Sequence, residues 1–298
     1  MASSPALEKI LAAKRADAYK DDKTLEELRG THKASGSAIP LPDGTTCEAV
    51  DADGVPAEWI EVAGVARDKV FLFIHGGGYY RGSVAATRST AARISKATGM
   101  RCLSIDYRLA PEDPFPAGVD DTYAAYKWLL GQGVDASQIV VGGVSAGGGL
   151  TMALLLKLKD EGDPLPAAAV PISAWTDLTQ SGDSMQSKSD EDVVISKAYL
   201  DRMAGYYLNG AGAKTPLASP LFGNLKGLPP LLIQVGSAET LLDDSARLAE
   251  AAKAAGVSVE YETWEDMFHG WHMSAHILDE GQQAIESIGR YCDGLLAK

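Results

Sequence analysis

The pentapeptide Gly143-Val144-Ser145-Ala146-Gly147 is the stretch of this chain best suited to covalent chemistry. It matches G-x-S-x-G, which acts as a nucleophile-bearing elbow only where a strand turns sharply into a helix. The flanks meet that condition. Ile139-Val140-Val141 reads as the end of a buried strand, and Leu150 to Leu156 as a buried helix. Ser145 would then stand beside the positive end of the following helix, which favours a developing oxyanion. A serine hydroxyl alone is a poor nucleophile. It needs a base within hydrogen-bond reach and a group that orients the base.

The base must come from His32, His75, His269, His272 or His276. His269 fits, because it sits in Met267-Phe268-His269-Gly270-Trp271, just after an alternating stretch that ends near Trp264. Gly270 gives that loop freedom to aim the ring. The spacing of His269, His272 and His276 could also mark a helical metal face. Gly270 interrupts such a helix and no thiolate is near, so no metal is expected. The orienting acid should follow the preceding strand, Leu231 to Val235. Glu239 lies in the loop proper. Asp243 is the alternative, at the start of the next helix, where acids are common for dipole reasons alone. His75-Gly76-Gly77-Gly78 follows another apolar run, and consecutive glycines can turn backbone amides toward an oxyanion. A dinucleotide cradle is the rival reading of Gly76, Gly78 and Gly82, but the spacing is not G-x-G-x-x-G. Tyr79 and Tyr80 come directly after these glycines. They are expected to wall an acyl pocket, unless they simply pack beneath a cap.

Such groups need a rigid frame. The 298 residues and 46% hydrophobic content allow one large α/β domain with an elaboration, or two domains. A net charge of −13 argues against nucleic acid or an anionic membrane as partner. Cys47, Cys102 and Cys292 are far apart and without metal or redox spacing, so they are expected to be reduced in a cytoplasmic protein. The N-terminus lacks a basic start followed by an apolar run, so no secretory leader is expected. No apolar run reaches the length of a membrane span.

Along the chain, Ser4-Pro5 opens an amphipathic helix with Leu7, Ile10 and Leu11, and a second helix runs from Thr24 to His32. Both suit a lid or a packing arm. Strands are expected near Thr45-Val50, Glu58-Val62, Val70-Ile74, Cys102-Ile105 and Ala168-Ile172, with helices between the later ones. The alternation stops over 177–225, which is polar and loop-rich with a helical patch from Lys197 to Leu208. It resumes with Leu231-Val235, a helix from Leu241 to Ala255, a half-exposed edge strand at Val257-Tyr261, and a last helix from about Met273 to Leu296. Repeated β-then-α order implies a mostly parallel sheet with helices on both faces.

Taken together, these blocks resemble the bacterial hormone-sensitive-lipase-like esterases of the α/β-hydrolase fold. Four carry the likeness: His75 to Gly78, Asp106 to Glu112 with Phe115-Pro116-Ala117, Gly143 to Gly148, and Phe268 to Gly270. The resemblance implies Ser145 as nucleophile, His269 as base, and Gly77, Gly78 and Ala146 as oxyanion donors. It implies a catalytic domain over 46–176 and 226–298. Residues 1–45 and the insertion 177–225 would form a small helical cap. The reaction it implies is hydrolysis of short- to medium-chain carboxylic esters, and lactones are within its range, through an acyl-enzyme and with no cofactor. The partner would be a small-molecule ester; a homodimer stays open. Val144 and Glu239-Thr240-Leu241 depart from the family pattern, which has Asp before the serine and often D-P-L at the acid. An amidase or arylformamidase would use the same triad. Relatives that only bind ligands have lost the triad histidine, which this chain keeps as His269.

Overall fold

A computed structural model describes residues 4–17 and 24–296. The parts of the expected N-terminal cap at 1–3 and 18–23 lie outside the described residues, as does the very start of the chain, on which the reading of no leader rests. Among the described residues, eight strands form one sheet. In chain order they are β1 (Thr45–Asp51), β2 (Pro56–Val62), β3 (Ala66–Ile74), β4 (Met100–Ile105), β5 (Ile139–Val144), β6 (Ala168–Ile172), β7 (Leu231–Gly236) and β8 (Val259–Trp264). Their spatial order is β1-β2-β4-β3-β5-β6-β7-β8. Only β2 runs antiparallel to its neighbours; every pair from β4 to β8 is parallel.

Period-two alternation explains how β3 and β5 lie buried at the centre. Val70, Leu72, Ile74, Ile139 and Val141 face one core, while Phe71, Phe73, Val140 and Val144 face the other. Burying each of these side chains contributes about 1.5–3 kcal/mol. Five helices pack on the sheet: α3 (Val84–Thr98), α4 (Ala117–Gly131), α5 (Ala146–Glu161), α8 (Leu242–Ala254) and α9 (Asp279–Leu296). α4 and α5 cover the first face with Val119, Tyr126, Leu129, Leu150 and Leu154. α3 and α9 cover the second with Ala91, Ile94, Ile285 and Ile288. α8 packs Leu248 and Ala252 on Leu231 and Ile233 of β7. As the alternating sequence implied, β8 is an edge strand of mixed burial.

The remaining helices gather over the carboxyl ends of the strands. α1 (Pro5–Asp17) buries Leu7 and Ile10 against Val193, Met267, Phe268 and Trp271. α2 (Leu25–Ser37) starts with a capping box between Thr24 and Glu27 and runs past the His32 expected as its end. Arg29 of α2 donates to the Tyr80 and Ala110 carbonyls at 2.7 and 2.8 Å and holds Glu112. The segment 177–225 contributes α6 (Ser184–Ser187) and α7 (Lys197–Leu208), the latter where the helical patch was expected. The last helix departs from expectation. Residues Trp271–Ser274 form a separate tight turn and α9 begins only at Asp279. Trp271 and His272 are drawn into the core there, which a continuous helix would not permit.

Two glycines of α9 should respond oppositely to alanine. A Cβ on Gly289 would lie 2.3 Å from the Ala97 carbonyl oxygen of α3, whereas one on Gly294 meets nothing within 4 Å. Gly289→Ala should destabilise by about 1–3 kcal/mol through overpacking. Gly294→Ala should stabilise by up to about 1 kcal/mol through helix propensity. Denaturant unfolding checks both; equal shifts would contradict the α3–α9 packing.

Candidate active site

Ser145 occupies the junction of β5 and α5 with φ 59 and ψ −119. A non-glycine residue in that region carries about 1–3 kcal/mol of strain, and the surroundings must hold it there. Its N–H donates to the Ile172 carbonyl at 2.9 Å, and its carbonyl accepts from Gly149 and Trp175 at 3.0 and 3.1 Å. Gly147 has to be glycine because the backbones touch: a Cβ would lie 2.1 Å from the Ile74 carbonyl oxygen. The pentapeptide is therefore short of side chains where β3, β5 and α5 meet, and Ser145 faces the cavity from the turn.

His269 lies in the loop after β8, and Gly270 beside it adopts φ 68. Its Nδ1 is 2.7 Å from Glu239 Oε2. Glu239 is completely buried. Its other oxygen accepts from Ser173 Oγ and from the Gly236 N–H, both at 2.7 Å. Asp243, the alternative acid, sits in the first turn of α8 and accepts instead from the Ser184 N–H at 2.9 Å. Of the two acids, Glu239 is the one against the imidazole. Ser145 and His269 line the same cavity of about 650 Å³. Among the described residues no hydrogen bond joins their side chains in this conformation; such bonds often tighten only around a substrate.

The glycine loop completes the wall. Gly77 has φ 118, and its carbonyl accepts from the N–H groups of Tyr80 and Arg81 at 3.3 and 3.1 Å. The loop thereby curls back, and no hydrogen bond among the described residues uses the N–H of Gly77 or Gly78. Ala146 opens α5, so its N–H is one of the unpaired donors of a helix start. Gly76, Gly77 and Gly78 line the cavity beside Ser145. His75 is buried beneath them. It stacks on Tyr107 at 4.3 Å and its Nδ1 lies 2.8 Å from the Gly76 carbonyl. The loop folds onto its own histidine; a Cβ on Gly82 would lie 2.4 Å from His75 Nδ1, unlike an open phosphate cradle.

Two expectations need correction. Tyr79 does not reach the cavity. With φ 64 its ring turns into the core, stacked on Tyr207 at 3.8 Å and tilted against Trp175 at 5.5 Å. Tyr80 does line the cavity, and its hydroxyl bonds that of Tyr199. His269, His272 and His276 do not share a helical face. His272 is fully buried with Nε2 2.8 Å from Gln234 Oε1, and burial pushes its pKa down to about 3. Lastly, His276 falls within the last helix expected from the sequence but precedes α9.

Two residues escaped sequence reading. Ser173, at the end of β6 with φ 45, holds Glu239. Asp192 is buried in the 177–225 segment. Its Oδ2 accepts from the Thr240 N–H at 2.8 Å and hydroxyl at 3.0 Å, and its Oδ1 from the N–H groups of Val194 and Ile195 at 2.8 and 3.0 Å. It thus ties the cavity-lining Val194 and Ile195 to the loop of Glu239. Neither residue lies in a motif; only the positive φ of Ser173 marks it locally.

The wider kinship agrees with this geometry. Residues 71–273 match the family described as alpha/beta hydrolase fold. The chain is 46% identical over 236 residues to an acetyl-hydrolase of Streptomyces hygroscopicus, covering 79% of this chain and 78% of that one. It is 35% identical over 243 residues to an esterase of Acinetobacter venetianus, covering 81% and 80%. A crystal structure of an esterase from the bacterial hormone-sensitive lipase family superposes with a TM-score of 0.96 at 46% identity, over 99% of this chain and 100% of the other. By sequence and by fold, this chain belongs to the α/β-hydrolase fold family, among the bacterial hormone-sensitive-lipase-like esterases.

Proposed function

We propose that the chain is a serine carboxylesterase that hydrolyses short- to medium-chain esters through an acyl-enzyme. The observation that carries this reading is the Glu239–His269 contact at 2.7 Å, on a cavity that His269 shares with Ser145 and the glycine loop. Ser145 Oγ attacks the ester carbonyl and passes its proton to His269 Nε2. Glu239 holds the ring through Nδ1–H and stabilises the imidazolium. The N–H groups of Gly77, Gly78 and Ala146 receive the oxyanion. As the tetrahedral species collapses, His269 returns the proton to the departing alcohol. A water then repeats the sequence on the acyl-enzyme and frees the acid.

Residues 1–45 and 177–225 act as the cap over the catalytic domain, 46–176 and 226–298. Support comes from the cavity wall itself: Leu25 and Leu28 of α2, Val193 to Ile195, and Tyr199, Met203 and Tyr206 of α7 all line it. A lid of packed helices limits chain length. Each added methylene gains only about 0.8 kcal/mol where room exists and clashes where it does not. Among the described residues no helix is long and apolar enough to cross a membrane. A cytoplasmic site of action is supported by the free thiols of Cys47, Cys102 and Cys292.

Ser145→Ala should leave the fold intact and lower turnover of p-nitrophenyl butyrate by about 10⁴-fold or more. Mass spectrometry after an organophosphonate should find the adduct on Ser145; label on another residue would end the assignment. Glu239→Gln should cut kcat by a large factor, because the imidazolium loses its orienting charge. Asp243→Asn should be far milder, and the reverse order would transfer the acid role to Asp243. Across p-nitrophenyl esters, kcat/KM should peak between acetate and hexanoate and collapse by palmitate. A steady rise toward long chains would remove the cap from the account of selectivity.

A further inference from the structure

Arg81 follows the glycine loop after Tyr79 and Tyr80 and lines the same cavity as Ser145. Its main chain is fixed by the N–H bond to the Gly77 carbonyl at 3.1 Å. Its guanidinium lies beside two rings, 5.5 Å from the Tyr80 centroid and 5.7 Å from that of Tyr199. Stacked contacts of this kind draw on the charge and spend none of the in-plane N–H donors. Among the described residues no hydrogen bond or ion pair engages those donors, and Nε is buried without a partner. Arg93 and Arg101 also leave Nε unpartnered, but each has another polar partner, Gln282 and Glu61, while Arg29 holds Glu112, Arg88 holds Glu58 and Arg108 holds Asp121.

The contrast is sharper in this composition. Acidic residues outnumber Lys and Arg by 40 to 27. Yet the described residues lining the cavity include Arg81 and no aspartate or glutamate. His32 on the same wall brings no competing charge, since burial and the neighbouring Arg81 push its pKa down to about 4.

We propose that Arg81 anchors an anionic subsite, and that the preferred esters carry a carboxylate away from the scissile bond. The inference rests on ester hydrolysis at Ser145 and adds the class of substrate. A guanidinium edge matches a carboxylate with two parallel N–H···O bonds, and a walled cavity strengthens that pair relative to bulk water. A neutral alkyl tail in the same place would strip water from the guanidinium and return nothing. The carboxylate can belong to either side of the ester, the acid part in a half-ester of a dicarboxylic acid or the alcohol part in an acyloxy acid.

The test compares kcat/KM for monoethyl glutarate with ethyl pentanoate, and for 4-acetoxybutanoate with butyl acetate, on protein titrated with a phosphonate. For at least one pair the ratio of anionic to neutral ester should fall by about tenfold or more in Arg81→Gln, chiefly through KM, the size of one charge-assisted hydrogen bond. Which pair responds identifies the side that carries the carboxylate. Arg81→Lys should keep part of the preference, and salt near 1 M should shrink it in the unmodified protein. Those two measurements also decide the matter if Arg81→Gln does not fold. Ratios that ignore both the Arg81 substitutions and salt would overturn the subsite while leaving the esterase intact. Failure of the unmodified protein to cleave any of the four esters, anionic or neutral, would instead remove the esterase reading, and the subsite with it.

Discussion

A carboxyl group with no access to water has to be surrounded by donors, and Glu239 sets that demand at the centre of this molecule. Ser173 Oγ, the Gly236 N–H and the His269 ring meet it. Those groups come from the ends of β6 and β7 and from the loop after β8. One buried side chain therefore fixes the relative positions of three loops at the carboxyl edge of the sheet. Losing any donor would leave an acceptor unpaired in the core, at a cost of about 1–3 kcal/mol, so the loops are held by more than packing.

The same economy joins the upper layer to the lower. Asp192 accepts from Thr240, the residue next to Glu239, and from Val194 and Ile195, which line the cavity. Arg29 of α2 is fastened to the Tyr80 carbonyl behind the glycine loop. α1 places Leu7 and Ile10 on Phe268 and Trp271, beside His269. The loops of Glu239 and His269 and the glycine loop are thus each braced by a segment outside the sheet. A change in the upper layer has a short route of hydrogen bonds and contacts to the Glu239 loop, the glycine loop and the loop of His269.

Polarity within the cavity is arranged against the average of the chain. The protein as a whole is strongly acidic, while the described lining offers cations, histidines, aromatic rings and aliphatic side chains. Repulsion between the acidic exterior and an anionic ligand is long-ranged but screened by salt within about 8–10 Å. A guanidinium inside a walled space is screened far less, so local charge outweighs net charge once the ligand has entered.

Much of this was legible in the sequence, because the signals are local. A β-branched run, a G-x-S-x-G turn and an apolar helix must be neighbours in the chain to work, so the elbow at Ser145 could be read directly, as could the order of strands and helices. His269 was legible for a similar reason, being a histidine with a flanking glycine after an edge strand. What the sequence left open depends on residues far apart in the chain. Glu239 and Asp243 are one helical turn apart, and only the docking of α8 and α6 sends one to His269 and the other to Ser184. Tyr79 and Tyr80 are adjacent and chemically alike, yet the backbone at Tyr79 turns its ring under Tyr207 while Tyr80 keeps the cavity. Ser173 and Asp192 belong to no motif and gain meaning only where β6 and the 177–225 segment close on the Glu239 loop. The sequence by itself determined which chemical groups exist and on which kinds of element they stand. Tertiary structure decided which of them meet, because hydrogen bonds and ring contacts depend on distances of a few ångströms that chain spacing does not set.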